Sequence, residues 1–393
     1  MRKKLSLLLA FVLLVGLFVG CGPKTASNKK VEDSDAKVKV GLDYELSGDV
    51  ATYGQSLVEG IELAAEEINK SGGVLGGKQI ELDKADNKSD NAEAANVATK
   101  LITNDRVVAI LGPATSGNTK AASAVATRHK VPLISASATA DDITVDSNGK
   151  VRDYIFKTCF SDSFQGVIMA NFAYEDLQKK NAAVLIDSTS DYSKGLAKNF
   201  KQKFGELGGK ITTEQAYQAK EKDFRAVLTK IKGSNPDVLY LPGYYESVGL
   251  IVKQARELGL NVPVLGGDGY DSPKLTQIAG NDVLNDVYFT NHYSSKDTSP
   301  EVVKFINAFK AKYNKVPDAF NALGYDLEYF LADALNRAGA ADPAKIKEAL
   351  ASTKDFKGIT GTLSIDEFHN PVKAATILEM KDGVQTFVKK QQP

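Results

Sequence analysis

Short apolar segments alternate with amphipathic segments along most of the chain. Apolar runs that end at glycine or proline, such as 107–111 before Gly112-Pro113, are typical of buried parallel strands. Apolar residues that recur every three or four positions, as over 57–68, predict helices with one buried face. The predicted strands are 38–42, 79–82, 107–111, 132–135, 182–186, 238–241 and 262–265. The predicted helices are 57–68, 92–102, 118–128, 194–206, 224–232, 246–258, 299–313 and 321–338.

This alternation falls into two series, the second of which begins near residue 181. Strands that alternate with helices predict doubly wound sheets of the α/β class. Because the body is too large for one sheet, we expect two doubly wound lobes with parallel central sheets. The late helices 299–313 and 321–338 are placed to return the chain to the first lobe.

The N-terminus has the pattern of a bacterial lipoprotein signal. Three basic residues at 2–4 precede the apolar run 5–19, which is shorter than the ~20 residues of a spanning helix. Residues 17–21, LFVGC, resemble a lipobox, although Phe18 stands where leucine is usual. We therefore expect a signal peptide at 1–20, a diacylated Cys21, and a flexible tether over 21–37. This predicts an extracytoplasmic protein held at the cell membrane by its lipid alone.

Composition removes several classes of function. Lys+Arg and Asp+Glu are both 49, whereas a nucleic-acid-binding protein has a basic excess or a basic stripe. Two cysteines and three singly scattered histidines make neither a structural zinc site nor a multi-histidine metal centre. No serine–histidine–acid set can be assembled from these isolated histidines. We expect no metal, no cofactor, no nucleic-acid partner and no enzyme activity.

Two loops that follow predicted strands are rich in small hydroxyl residues. GPATSG follows strand 107–111 and contains Ser116, and ISASAT begins within strand 132–135 and ends at Thr139. Ligands of doubly wound sheets bind at the carboxyl ends of strands, where a helix N-terminus offers N–H groups to an anion. Either residue alone would be read as an N-cap, but together they predict a carboxylate site.

The second series supplies the opposite charge. Asp268 lies in GGDG just after strand 262–265, and Tyr244 lies just beyond strand 238–241. An acid from one lobe and hydroxyls from the other suit an α-amino acid zwitterion. Each charge of such a ligand must be matched, because an unmatched buried charge is costly.

Segments from Val38 nearly to the C-terminus resemble one known family. They include AILGPATSG, VPLISASATADDIT, IFKTCFSDSFQG, YLPGYYESVGLIVKQARELGL and LGGDGYDSP. The family is that of the type I solute-binding proteins of branched-chain amino acid ABC transporters, the leucine/isoleucine/valine-binding group. The resemblance implies one lobe from 38–160 plus 292–370 and another from 161–291 plus 371–393. It also implies three hinge crossings, near residues 160, 291 and 370.

The resemblance also assigns ligand contacts. Ser116 and Thr139 would hold the ligand carboxylate, and the Ser137 carbonyl and Asp268 would take the ammonium. Asp268 stands where the aligned relative has glutamate. The residues implied to line the side-chain pocket are Tyr53, Tyr192, Tyr244 and Phe320.

The expected function is capture of a branched-chain amino acid by lobe closure and its delivery to ABC permease subunits, by a monomer. Another amino acid or a small amide is an alternative ligand. A sensory module that reports to a signalling partner is an alternative role, since one fold serves both. The chain carries no output domain, which favours delivery. An enzyme with Asp268 as base is disfavoured because no residue pair could activate a nucleophile.

Overall fold

The computed structural model describes residues 36–392, so the predicted signal peptide, Cys21 and nearly all of the tether lie outside the described residues. The strands are β1 Lys37–Tyr44, β2 Gln79–Asp86, β3 Ala109–Leu111, β4 Leu133–Ser135, β5 Ile155–Lys157, β6 Asn181–Asp187, β7 Lys210–Tyr217, β8 Val238–Tyr240, β9 Val264–Gly266, β10 Val287–Asn291, β11 Phe356–Gly358, β12 Gly361–Ile365, β13 Pro371–Val372, β14 Ala375–Lys381 and β15 Val384–Gln391. The helices are α1 Ala51–Lys70, α2 Asn91–Lys100, α3 Ser116–His129, α4 Asp162–Asn171, α5 Asp191–Glu206, α6 Arg225–Gly233, α7 Tyr245–Glu257, α8 Pro273–Ala279, α9 Pro300–Tyr313, α10 Ala319–Ala338 and α11 Pro343–Ala351.

The first sheet is fully parallel, in the order β2-β1-β3-β4-β5. Its inner strands β3 and β4 are only three residues long, and every residue in them is buried. Parallel strands covered on both faces require such continuous apolar sequence. The carboxyl ends of these two strands carry the hydroxyl-rich loops.

The second sheet has the order β15-β14-β10-β9-β8-β6-β7. Its strands from β10 to β7 are parallel, whereas β14 and β15 form an antiparallel edge. The predicted α/β class with parallel central sheets is confirmed, and the antiparallel edge is a feature that the sequence did not predict. Strands β11, β12 and β13 form a small third sheet.

The chain crosses between the first and the second sheet three times. It leaves the first sheet after β5, leaves the second after β10, and returns to the second at β14. Between the last two passages, α10 packs closely on α1 through glycines: a Cβ added at Gly60 would lie 2.0 Å from Asn321 O, and one at Gly324 would lie 2.1 Å from Leu57 O. The predicted lobe boundaries stay predictions.

None of the helices within residues 36–392 joins the length and the apolar character needed to cross a lipid bilayer.

Candidate functional site

A small cavity lies where the carboxyl ends of strands from both sheets meet. Its lining consists of Tyr53, Ala114, Thr115, Ser137, Tyr192, Tyr244, Asp268, Gly269 and Phe320. Its volume is about 10 Å³, room for roughly one water molecule. An amino acid therefore enters only if the walls move apart. A wider cleft of about 280 Å³ adjoins it and shares Thr115 and Tyr244.

On one side of the cavity, which we call the acidic side, Asp268 follows β9 and is 3% exposed. Its Oδ1 accepts hydrogen bonds from Gln165 Nε2 at 3.0 Å and Tyr192 OH at 2.8 Å. Its Oδ2 lies 3.2 Å from His292 Nε2. Burial lowers the pKa of His292 to about 4, so the ring is neutral at pH 7 and Nε2–H donates. The three donors leave the negative charge of Asp268 uncancelled.

The opposite side, which we call the hydroxyl side, is lined by Thr115 and Ser137, and the same two loops carry the buried Ser116 and Thr139. Ser116 Oγ accepts from the Ala140 N–H at 3.2 Å, which leaves its own O–H free to donate. Thr139 Oγ1 makes no hydrogen bond of standard geometry in the described part of the chain, although it interacts with the buried Asp162 carboxyl. Because an unpaired buried hydroxyl costs about 1–3 kcal/mol, Thr139 is a candidate ligand donor.

Glu45 is a buried acid that binds the loop just ahead of α3. It follows β1, is fully buried, and accepts from the N–H groups of Ala114 at 2.9 Å and Thr115 at 3.0 Å. Thr115 Oγ1 and Asn118 Nδ2, each at 2.8 Å, also donate to it. Two N–H groups just ahead of α3 therefore bind an internal carboxylate and not a ligand. A ligand anion is left with N–H groups from Ser116 onward.

Lys157 is a buried cation that binds the hydroxyl-rich loop ending at Thr139. It ends β5, and its Nζ donates to Ser161 Oγ at 2.8 Å, Ala140 O at 3.2 Å and Thr139 O at 3.4 Å. These bonds fix the loop that carries Thr139 and place a positive charge behind it. Positive charge there favours an anion in the cavity.

Aromatic rings form a continuous wall between the two sides. Tyr53 stacks on Phe320 with ring centroids 4.4 Å apart, and Tyr192 stacks on Tyr244 at 5.1 Å. Tyr53 meets Tyr244 edge-on at 5.7 Å, and its OH donates to Gly269 O in the loop after β9. This wall offers apolar surface to a ligand side chain.

The structure brings six of the eight predicted binding residues to one cavity, namely Tyr53, Ser137, Tyr192, Tyr244, Asp268 and Phe320. Ser116 and Thr139 are buried but are not among the lining residues. The roles of all eight toward a ligand stay predictions.

Sequence reasoning missed the residues that surround these positions, namely Glu45, Lys157, Gln165 and His292. Lys157 and Gln165 lie within the segment IFKTCFSDSFQG, which was noted only for its resemblance. His292 was treated as an isolated histidine. Among residues 36–392, no cluster of His, Cys, Asp or Glu could hold a metal ion.

A family model described as "Periplasmic binding protein" matches residues 37–385. The chain therefore belongs to this family of extracytoplasmic substrate-binding proteins, and the resemblance seen in the sequence is confirmed.

Particular relatives narrow the class. The chain is 33% identical over 330 residues to the leucine-, isoleucine-, valine-, threonine- and alanine-binding protein of Pseudomonas aeruginosa, covering 84% of this chain and 86% of the relative. The structure of the branched-chain amino acid transporter substrate binding protein LivJ from Streptococcus pneumoniae, in complex with isoleucine, is 42% identical with a TM-score of 0.85, covering 91% of this chain and all of that one. The leucine binding protein LivK from Thermotoga maritima is 37% identical with a TM-score of 0.85, covering 91% and 99%.

Proposed function

We propose that this protein captures leucine, isoleucine or valine outside the cytoplasm and delivers it to the permease subunits of an ABC transporter. The observation that carries the proposal is the buried Asp268, which lines the cavity among neutral donors and faces buried hydroxyls. The relatives named above bind amino acids of this class, which supports the same ligand class here.

In the proposed complex each end of the amino acid meets its complement. Asp268 and the Ser137 carbonyl take the ammonium, and Ser116 and Thr139 take the carboxylate. A charge-assisted hydrogen bond is about twice as strong as a neutral one, so the Asp268 contact contributes most. The branched side chain packs against the wall formed by Tyr53, Tyr192, Tyr244 and Phe320.

Ligand capture is proposed to proceed by hinge bending between the lobes 38–160 plus 292–370 and 161–291 plus 371–393. Two facts support this. The polar partners are carried by separate sheets, and the cavity is too small to admit an amino acid unless its walls separate. X-ray scattering should give a smaller radius of gyration with leucine than without it.

A thermal-shift screen of the twenty amino acids and small amides tests the ligand class. Leucine, isoleucine and valine should raise the melting temperature most, since ligand at 100 times Kd adds about 2.7 kcal/mol to stability. A larger shift with another amino acid or with an amide such as urea would reassign the ligand. Leucine uptake that persists without this protein, while a response to leucine is lost, would favour a sensory role.

The N-terminal motif supports cleavage between Gly20 and Cys21 and anchoring by a lipid on Cys21. The Cys21→Ser variant should leave the membrane fraction and appear in the medium or periplasm. Cys159→Ser is the matched control, because Cys159 is buried and burial raises its thiol pKa to about 12. Retention of Cys21→Ser in the membrane fraction would contradict the anchor.

A further inference from the structure

Gln165, in the first turn and a half of α4, holds Asp268 at two points. Its Nε2 donates to Asp268 Oδ1 at 3.0 Å, and its Oε1 accepts from the Asp268 N–H at 3.1 Å. A carboxylate only accepts and a backbone N–H only donates, so this pairing fixes the orientation of the amide. Oε1 also accepts from the Thr290 hydroxyl in β10.

The surroundings leave this arrangement little freedom. Gln165 is fully buried, and a Cβ added at Gly267 would lie 3.0 Å from Gln165 Oε1 and 2.5 Å from Tyr192 OH. Gln165 is not among the residues that line the cavity within the described chain. Its side-chain amide is bound to Asp268 and Thr290, so it reaches a ligand through Asp268.

The hydrogen bonds of Asp268 occupy most of its acceptor positions. A carboxylate offers about four acceptor positions, and here Gln165, Tyr192 and His292 occupy three of them. About one position is left for a donor from the cavity. Because all three donors are neutral at pH 7, the remaining position keeps the attraction of a full negative charge for a cation.

We propose that Gln165 is a positioning residue that aims the Asp268 carboxylate into the cavity and thereby sets the preference of the site for an amino acid over the corresponding carboxylic acid. The inference rests on the proposed function, because it concerns the same site and the same ammonium group. Without Gln165, the Asp268 side chain and the backbone behind it are free to turn, and the ammonium loses an aligned partner.

The test compares leucine with 4-methylpentanoate, which has the same side chain and carboxylate but no ammonium. In Gln165→Met, a substitution of similar length, leucine affinity should fall about tenfold to a hundredfold, because hydrogen bonds to a charged group are lost. Affinity for 4-methylpentanoate, measured by competition, should change little, so the ratio of the two affinities falls. Thr290→Val, a milder and isosteric change, should lower the ratio in the same direction by a smaller factor.

Gln254→Met is the matched control. Gln254 is also a buried glutamine whose side-chain amide makes two hydrogen bonds to the backbone. It accepts from the Phe224 N–H at 2.7 Å and donates to Lys222 O at 2.8 Å, and it does not line the cavity. Its replacement should lower stability and leave the ratio unchanged.

Two different failures can be told apart. If the unmodified protein binds leucine better than 4-methylpentanoate and Gln165→Met keeps that ratio, Gln165 is merely structural and the inference is overturned. If the unmodified protein itself shows no preference for leucine, the proposed function fails first.

Discussion

The acidic side and the hydroxyl side of the cavity place their charges differently. On the acidic side the charged group, Asp268, lines the cavity itself, and the side chains around it are neutral. On the hydroxyl side the charged groups, Lys157 and Glu45, are bound to backbone and hydroxyl groups of the loops. There the groups available to a ligand are neutral.

This difference implies an unequal division of ligand binding. A single buried counter-charge concentrates affinity in one residue, whereas several neutral donors share it. Substitutions on the acidic side should therefore cost more affinity than those on the hydroxyl side. Equal or reversed losses of leucine affinity on the two sides would contradict this division.

Asp268→Asn should have the largest effect. The change removes the counter-charge but keeps the size of the side chain, and it should cost about 2–5 kcal/mol of leucine binding, or roughly 30-fold or more in affinity. Titration calorimetry measures it. The control is Asp326→Asn, which alters a buried carboxylate bound by the N–H groups of Ile359 and Thr360 and should leave affinity unchanged. If Asp268→Asn binds leucine like the parent, the ammonium is held elsewhere.

His292, on the acidic side, makes the free energy of unfolding depend on pH. Burial lowers its pKa from 6.5 to about 4, so between these values the unfolded chain binds the proton more readily than the folded one. Its contribution to stability is full above pH 6.5 and is lost as pH falls through 4, by about 3–4 kcal/mol in total.

Urea unfolding of His292→Gln between pH 4 and 7 tests this. The variant should lose less stability over that range than the parent, and His129→Gln, at an exposed position, should behave like the parent. An unchanged slope in His292→Gln would mean that burial does not lower the pKa of His292 below its value in the unfolded chain.

Thr139→Val tests the contribution of the hydroxyl side to leucine binding. Thr139 Oγ1 makes no hydrogen bond of standard geometry in the described structure, although it interacts with the buried Asp162 carboxyl, so the ligand-free protein should lose little stability. Leucine binding should weaken by about 1–3 kcal/mol, less than for Asp268→Asn. Denaturation and calorimetry on the same preparation give both numbers. A clear loss of stability without ligand would show that the hydroxyl is firmly bound within the protein.

Tyr53→Phe should have the smallest effect. The ring keeps its stacking on Phe320, but two hydrogen bonds of its OH are lost: the one donated to Gly269 O, which joins α1 to the loop after β9, and a longer one of 3.3 Å accepted from the Tyr245 N–H. The bond to Gly269 contributes about 0.5–1.5 kcal/mol and the long one less, so leucine affinity should fall by roughly threefold to tenfold. A loss as large as that of Asp268→Asn would contradict the ordering.

The sequence predicted several fully buried strands and missed two partly exposed edge strands, although the largely buried β10 and β14 were missed as well and the edge strand β2 was found. Strands β3, β8 and β9 consist entirely of buried residues, and their apolar runs identified them. Strand β7, KITTEQAY, and strand β15, VQTFVKKQ, lie at the sheet edges and are largely exposed or half-buried. Their side chains carry too little apolar pattern to distinguish a strand from a loop, so neither was predicted.

The residues of the site were also predicted only in part. Asp268 and Tyr244 were found because they follow apolar strands, where ligands of such sheets bind. Gln165 and Asp268 are 103 positions apart, and no local pattern marks a glutamine in a helix as the partner of a distant acid. The same holds for Lys157, because a lysine at the end of a strand is ordinarily a solvent-facing residue.

The central claim is that Asp268 selects the ligand through its ammonium group, and one comparison on the unmodified protein tests it most directly. Leucine and 4-methylpentanoate are titrated into the same preparation at pH 7 by calorimetry. Leucine should bind at least about 30-fold more tightly, since 4-methylpentanoate leaves the buried Asp268 carboxylate without a counter-charge and next to an apolar methylene. Equal affinities for the two ligands would contradict it.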